Sequence, residues 1–172
     1  VYSIVIAPVA PPVFAAGAIT GKVGTALAFT VSVTAPNPVS YTLAGAPAGM
    51  TISSAGLVSW AAPVAGTYAV TVTATDSKTG LSGKGLYTVA IAAPLPPAVT
   101  VPGVSGKPGV ALSFTATVVA PNPVTYSLSG APSGMAVNAA GVISWASPVL
   151  GNYNVTVIAK DTKTGLTGQA VA

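Results

Sequence analysis

The chain has 172 residues, of which 51% are hydrophobic and only 5% are charged, with a formal net charge of +4. Polar residues and prolines interrupt every apolar run well before the roughly 18 residues that a membrane-spanning helix needs, so we expect no insertion into a membrane. The sequence has no Cys, His, Glu or Arg, and its six lysines are scattered. We therefore predict a protein that is not an enzyme, holds no metal or cofactor and binds no nucleic acid.

The first predicted element is a strand. In the opening stretch VYSIVIAP, the side chains of Tyr2, Ile4 and Ile6 alternate with those of Val and Ser, so an extended chain carries them on one face. A similar segment, LYTVAIAA, occurs at residues 86–93. We interpret residues 1–12 as a spare closing strand and a Pro-rich joint, displaced in front of the first complete unit.

Residues 13–92 contain only strand and turn signals, beginning with a loose strand at 13–19. Apolar residues alternate in LAFTVSV at 27–33, prolines in APNP then stop the strand, and further short runs follow up to a closing strand at 86–92. About seven short strands with closely spaced turns predict an antiparallel β-sandwich.

The same pattern recurs at a constant offset in residue number, which is 145 − 60 = 85 for Trp60 and Trp145. We call this correspondence the repeat register. It predicts an all-β chain of two tandem sandwiches, with a Pro-rich linker at 93–97 and a second unit at 98–172 that lacks its closing strand. We expect the cores to contain aromatic side chains at matching positions, namely Phe29, Tyr41, Trp60 and Tyr68 in the first unit and Phe114, Tyr126, Trp145 and Tyr153 in the second.

Three motifs occur in both copies: YTLAGAPAGM and YSLSGAPSGM, GLVSW and GVISW, and GTYAVTVTATD and GNYNVTVIAKD. With these motifs the chain resembles the bacterial putative-immunoglobulin repeat (He_PIG), a cadherin-like and dystroglycan-type sandwich. The resemblance implies an immunoglobulin-like fold and an extracellular or cell-surface location in bacteria. It also implies a role as a spacer, stalk or adhesive module, with Tyr68 and Tyr153 as tyrosine corners.

The residues give less support to other binding sites. Calcium requires 6 to 8 oxygens, whereas each repeat has one carboxylate, Asp76 or Asp161, which we expect to be exposed and to cap a turn. An exposed carboxylate also does not suit a Lys–Asn isopeptide cross-link, which requires a buried acid. Trp60 and Trp145 lie at inward positions, which favours core packing over stacking on a carbohydrate.

The displaced strand suggests a mode of assembly. Residues 1–7 match the strand that the second repeat lacks, and a five-residue joint reaches at most about 18 Å, so in units strung in line they cannot reach that repeat of their own chain. We predict a structural subunit that forms an extracellular filament head-to-tail with copies of itself, by donating this strand to a neighbour. Two alternatives remain open: spacer repeats of a longer bacterial surface adhesin, and a carbohydrate-binding accessory module of a secreted enzyme. A surface glycan or receptor also remains open as a partner.

Overall fold

The computed structural model describes residues 2–4 and 8–172. These residues form strands and turns, and none of them belongs to a helix that could span a bilayer. Their contacts divide the chain between Ala93 and Pro94 into two compact units. The prediction of an all-β chain is confirmed.

The first unit contains nine strands. They are β1 (Val13–Phe14), β2 (Gly17–Lys22), β3 (Leu27–Thr30), β4 (Val33–Thr34), β5 (Val39–Ala44), β6 (Met50–Ile52), β7 (Leu57–Trp60), β8 (Gly66–Asp76) and β9 (Ser82–Ala92). One sheet has the order β2-β9-β8-β5, a second has the order β3-β7-β6, and β1 pairs with β4. All pairs are antiparallel except β2 with β9, which run parallel.

The core of the first unit lies between these two sheets. Alternation in β8 buries Val70 and Val72 completely, while the positions between them are threonines. From the opposite sheet, Val58 and Trp60 of β7 pack into the same cluster. Because each fully buried side chain of this size contributes about 1.5–3 kcal/mol, alternation decides which face of each strand turns inward.

A turn that contains a glycine leads into β7, whose side chains pack into the core. Gly56, just before β7, has a φ of 76°, a conformation that other residues rarely adopt. A Cβ atom there would lie 3.0 Å from Cγ2 of Val31, so the space is also restricted. Gly141 repeats this arrangement in the second unit, with a φ of 76° and Cζ of Tyr126 at 3.0 Å from the corresponding position.

Two strand boundaries differ from the sequence prediction. The loose strand expected at 13–19 is two strands, β1 and β2, which belong to different sheets. The closing strand begins at Ser82 rather than at residue 86, and its first residues pair with the end of β8. Its start, SGKG, carries no apolar alternation, so only the pairing with β8 reveals that it is extended.

The second unit contains eight strands. They are β10 (Ala98–Thr100), β11 (Leu112–Thr115), β12 (Thr117–Val119), β13 (Val124–Ser129), β14 (Met135–Val137), β15 (Val142–Trp145), β16 (Thr156–Asp161) and β17 (Thr167–Val171). The sheets have the orders β13-β16-β17 and β11-β15-β14, and β10 pairs with β12. In the repeat register, each of these strands overlaps one of the first unit.

The second unit has a strand at the position of the first half of β9. β17 pairs with β16 and corresponds to the beginning of β9. What is missing from the described part of this unit is the counterpart of the second half of β9, residues 87–92. The buried cluster around Ala116, Ile143 and Val157 accordingly has three members, whereas the cluster of the first unit has nine.

Candidate functional site, a groove in the second unit

In the first unit, the second half of β9 lies between two neighbouring strands. It runs antiparallel to β8, where Tyr87 pairs with Val70, and parallel to β2, where Val89 pairs with Ile19. The side chains of Tyr87, Val89 and Ile91 point into the core and are at most 4% exposed. This half strand therefore closes the core of the first unit.

Tyr87 anchors the half strand. Its hydroxyl donates a hydrogen bond of 3.1 Å to the carbonyl of Ala15, and its ring centroid lies 5.6 Å from that of Phe29. Burial raises the pKa of the Tyr87 hydroxyl. In the second unit the corresponding position is Ala172 (87 + 85), whose side chain has neither a hydroxyl nor a ring to make these contacts.

The neighbours of the missing half strand are not strands in the second unit. Residues 102–107 correspond to β2, and residues 151–155 correspond to the first half of β8, yet both segments are irregular. The N–H of Ala172 still donates to the carbonyl of Val155 at 2.9 Å, which is where the ladder stops. Among residues 94–172 no strand lies between the two segments, so their backbone groups have no neighbour with which to form a ladder.

A cavity of about 450 Å³ lies between these two segments. Residues 104–107 bound it on one side and residues 151–155 on the other, and we call it the groove. Apolar side chains line it, among them Leu112, Phe114 and Trp145. A groove that has apolar side chains between two backbone edges can bind an extended chain, because the edges supply hydrogen bonds and the apolar part of the lining accepts alternate side chains.

The rim of the groove exposes apolar side chains. Val149 is 66% exposed, Leu150 is 84% exposed and Tyr153 is 37% exposed. In the first unit the counterpart of Tyr153, Tyr68, is half-buried, and its hydroxyl donates to the carbonyl of Val64 at 3.1 Å, four residues upstream. Contiguous exposed apolar surface of this kind marks interaction sites.

The two tryptophans lie inside the units. Trp60 is 2% exposed and Trp145 is 5% exposed, and each indole N–H donates to a carbonyl twelve residues earlier in the chain. Tyr68 and Tyr153 lie edge-on against them, with centroid distances of 5.2 and 5.1 Å. The remaining predicted core aromatics are partly buried and pack against the two clusters: Phe29, Tyr41, Phe114 and Tyr126.

The opening segment is not packed into the core of either unit where it is described. Tyr2 is 99% exposed and Ile4 is 85% exposed. Ile6, the third side chain of the predicted donor strand, lies outside the described residues. Two large apolar side chains at these positions are therefore fully available to a partner.

The expectation that the two carboxylates are exposed is wrong. Asp76 and Asp161 are 1% and 0% exposed, although each lies at a turn as predicted. The carboxylate of Asp76 accepts hydrogen bonds from the Asn37 side chain at 2.9 Å and from the backbone N–H groups of Lys78 and Thr79. The buried charge is tolerated because each oxygen accepts a hydrogen bond.

These hydrogen bonds also determine how the two acids titrate. The hydrogen bond from Asn37 is the main cause of the lowered pKa of Asp76. For the lowered pKa of Asp161 the hydrogen bond from the backbone N–H of Thr164 comes first, followed by that from Asn122. Both carboxylates are buried at turns, and their oxygens already accept hydrogen bonds, so they have little capacity left to bind a cation.

The groove edges were missed by the sequence analysis. The segment VPGVSGK at residues 101–107 has no strict alternation. The repeat register could have identified these residues as an edge of the groove, because they align with β2, which pairs with β9 in the first unit. The glycines Gly21 and Gly106 occupy the same position in the two copies and support this alignment.

The comparisons with known proteins identify the family. The model of the family described as "Putative Ig domain" matches residues 7–92 and again residues 94–171. The chain therefore belongs to the putative Ig domain family and contains two tandem copies of its domain. No curated protein matches the chain.

Among solved structures, N-cadherin EC1-4 from Drosophila is 17% identical, with a TM-score of 0.50 over 95% of this chain and 48% of that chain. An I-band fragment of titin is 14% identical, with a TM-score of 0.44 over 95% of this chain and 65% of that one. A putative alpha-galactosidase from Bacteroides fragilis is 18% identical and has a TM-score of 0.43, over 52% of this chain and 19% of that one. The chain spans about half the length of the N-cadherin fragment, and that likeness supports the cadherin-like sandwich fold alone.

Proposed function

We propose that this member of the putative Ig domain family is a non-enzymatic structural subunit of an extracellular bacterial filament. Subunits assemble head-to-tail, because residues 1–7 of one copy enter the groove of the second unit of another. The observation that carries the proposal is the groove itself. It occupies the position in the second unit that corresponds to the second half of β9 in the first unit. The segment at residues 1–8 also has the same alternation of apolar residues as residues 86–93, with tyrosine and isoleucine at matching positions. A contact between two different surfaces of identical subunits does not close on itself, so it generates a filament.

The repeat register specifies how the strand enters. Ile4 takes the place that Val89 has in the first unit, so it pairs with Val104 on one edge and with Tyr153 on the other. Ile6 then lies beside Gly106. The incoming strand thus runs parallel to residues 102–107 and antiparallel to residues 151–155, and backbone hydrogen bonds form on both sides.

Tyr2 supplies the anchor that Ala172 lacks. In the register of the first unit, its hydroxyl donates to the carbonyl of Thr100 and its ring packs against Phe114. Tyr2 therefore displaces Ala172 from the carbonyl of Val155. Burial of an aromatic and two isoleucine side chains, each contributing about 1.5–3 kcal/mol, favours this exchange.

The exposure of the opening segment supports donation to another molecule. At 99% and 85% exposure, Tyr2 and Ile4 make no extensive packing contacts that donation would have to break. The low charge of the chain, 5% of its residues, also suits subunits that pack against one another, because little repulsion opposes association.

Assembly of the purified chain of residues 1–172 tests this function. We expect filaments by electron microscopy and a steep rise in light scattering with concentration, whereas a chain that lacks residues 1–7 stays monomeric and folded. Monomers of the intact chain at every concentration, or equal assembly of the two chains, would overturn the proposal.

The mass of the native subunit tests the same idea against a covalent array. Full denaturation of native material should release separate subunit chains, each far smaller than an array of many repeats. A much larger polypeptide would contradict assembly by strand donation, because the strand that fills each groove would then belong to the same chain.

A further inference from the structure

We propose that Gly106 determines which side chain the groove accepts at the third inward position of the donated strand. An isoleucine fits there because its Cδ1 atom occupies the space that a Cβ atom on residue 106 would take. The proposal rests on the proposed function, since it assigns the residue that gives the groove its specificity. The partner it implies is a strand with an apolar side chain at every second position and isoleucine at the third.

The first unit shows the filled form of this arrangement. Gly21 of β2 pairs with Ile91 of β9, and Ile91 is 4% exposed. A Cβ atom on Gly21 would lie 2.9 Å from Cδ1 of Ile91, closer than two carbon atoms pack, so the end of the isoleucine side chain would have to shift. Because Ile91 lies in the core cluster of the first unit, its neighbours restrict that shift.

The second unit shows the empty form. A Cβ atom on Gly106 would meet only the side chain of Leu112, with its nearest atom at 3.5 Å, an ordinary contact. Gly106 is not among the glycines with positive φ, so its backbone accepts alanine. The first unit needs glycine here to fold around its own strand, whereas the second unit needs it only when a strand enters.

Gly106→Ala should therefore leave the unoccupied unit intact and obstruct the incoming Ile6. Overpacking a well-filled site weakens binding by roughly tenfold or more. Ile6→Val removes only the Cδ1 methyl group, which is the atom in conflict. The two changes are predicted to compensate, and such coupling between two substitutions is the signature of direct contact.

A double-mutant cycle with labelled peptides tests the assignment. The acceptor is the full chain carrying Ile4→Asp, which blocks its own donation, with or without Gly106→Ala. The probes are peptides of residues 1–12, either wild-type or Ile6→Val, and binding is measured by fluorescence anisotropy. We expect Gly106→Ala to weaken the wild-type peptide by about tenfold and the Ile6→Val peptide by no more than about threefold.

The outcomes separate the two proposals. If the wild-type peptide does not bind the acceptor with Gly106 intact, strand donation is overturned, and this assignment falls with it. If that peptide binds but Gly106→Ala weakens both peptides equally, or neither, only the assignment of Gly106 is overturned. Thermal unfolding without peptide provides the matched control: Gly106→Ala should leave the melting temperature unchanged, and Gly21→Ala should lower that of the first unit.

Discussion

Truncation of Ile4 is the most direct measure of the donated strand. In the free subunit Ile4 is 85% exposed, whereas its counterpart Val89, in the strand that closes the first unit, is 0% exposed. The proposed assembly would therefore take this side chain from solvent to full burial. Loss of a buried isoleucine to alanine costs about 2–5 kcal/mol, and the free subunit bears none of that cost.

The neighbouring residue provides a matched control. Ser3 corresponds to Thr88, which is exposed on the outer face of β9. Ser3→Ala should therefore change the free energy of assembly by no more than about 0.5 kcal/mol. At about 1.4 kcal/mol per factor of ten, Ile4→Ala should weaken assembly by at least about thirtyfold and Ser3→Ala by about twofold.

The critical concentration for assembly, measured by sedimentation of the polymer, reports this difference. It should rise by the factors above, while both variants unfold at the temperature of the parent chain, because neither side chain packs within the free subunit. Equal critical concentrations for Ile4→Ala and Ser3→Ala would refute the inward and outward register of the strand.

Two further predictions concern the units themselves. Trp60→Ala should destabilise the first unit by about 3–5 kcal/mol, because the indole is 2% exposed. Urea unfolding followed by circular dichroism checks this, while the fluorescence of Trp145 reports the second unit as an internal control; a folded variant that has lost affinity for a glycan would instead indicate a binding platform. Asp76 and Asp161 have folded-state pKa values below the usual 3.8, so their contribution to stability is complete above that pH and is lost as the pH falls through the lowered values. The melting temperature should be flat from about pH 5 to 9, where few groups of this chain titrate, and should fall below about pH 4. Asp76→Asn should flatten the acid limb of the first unit, and an unchanged limb would contradict the assignment.

The sequence alone was sufficient for the fold and the repeat. Period-two alternation, turn residues and the repeat register predicted two β-sandwiches, and inward positions such as Val70 and Trp60 are buried as the alternation requires. Alternation is a local property, and burial of one face of a strand follows from it wherever a second sheet covers that face.

Only the tertiary structure revealed the buried carboxylates and the groove. Asn37, 39 residues earlier, donates a hydrogen bond to the buried Asp76, and no local pattern contains that pairing. Residues 102–107 have nearly the composition of β2 but remain irregular, since a strand in a parallel pair depends on a neighbour that is distant in sequence. Alternation predicts a strand in the opening stretch, whereas the groove of the second unit is a feature of the tertiary structure alone.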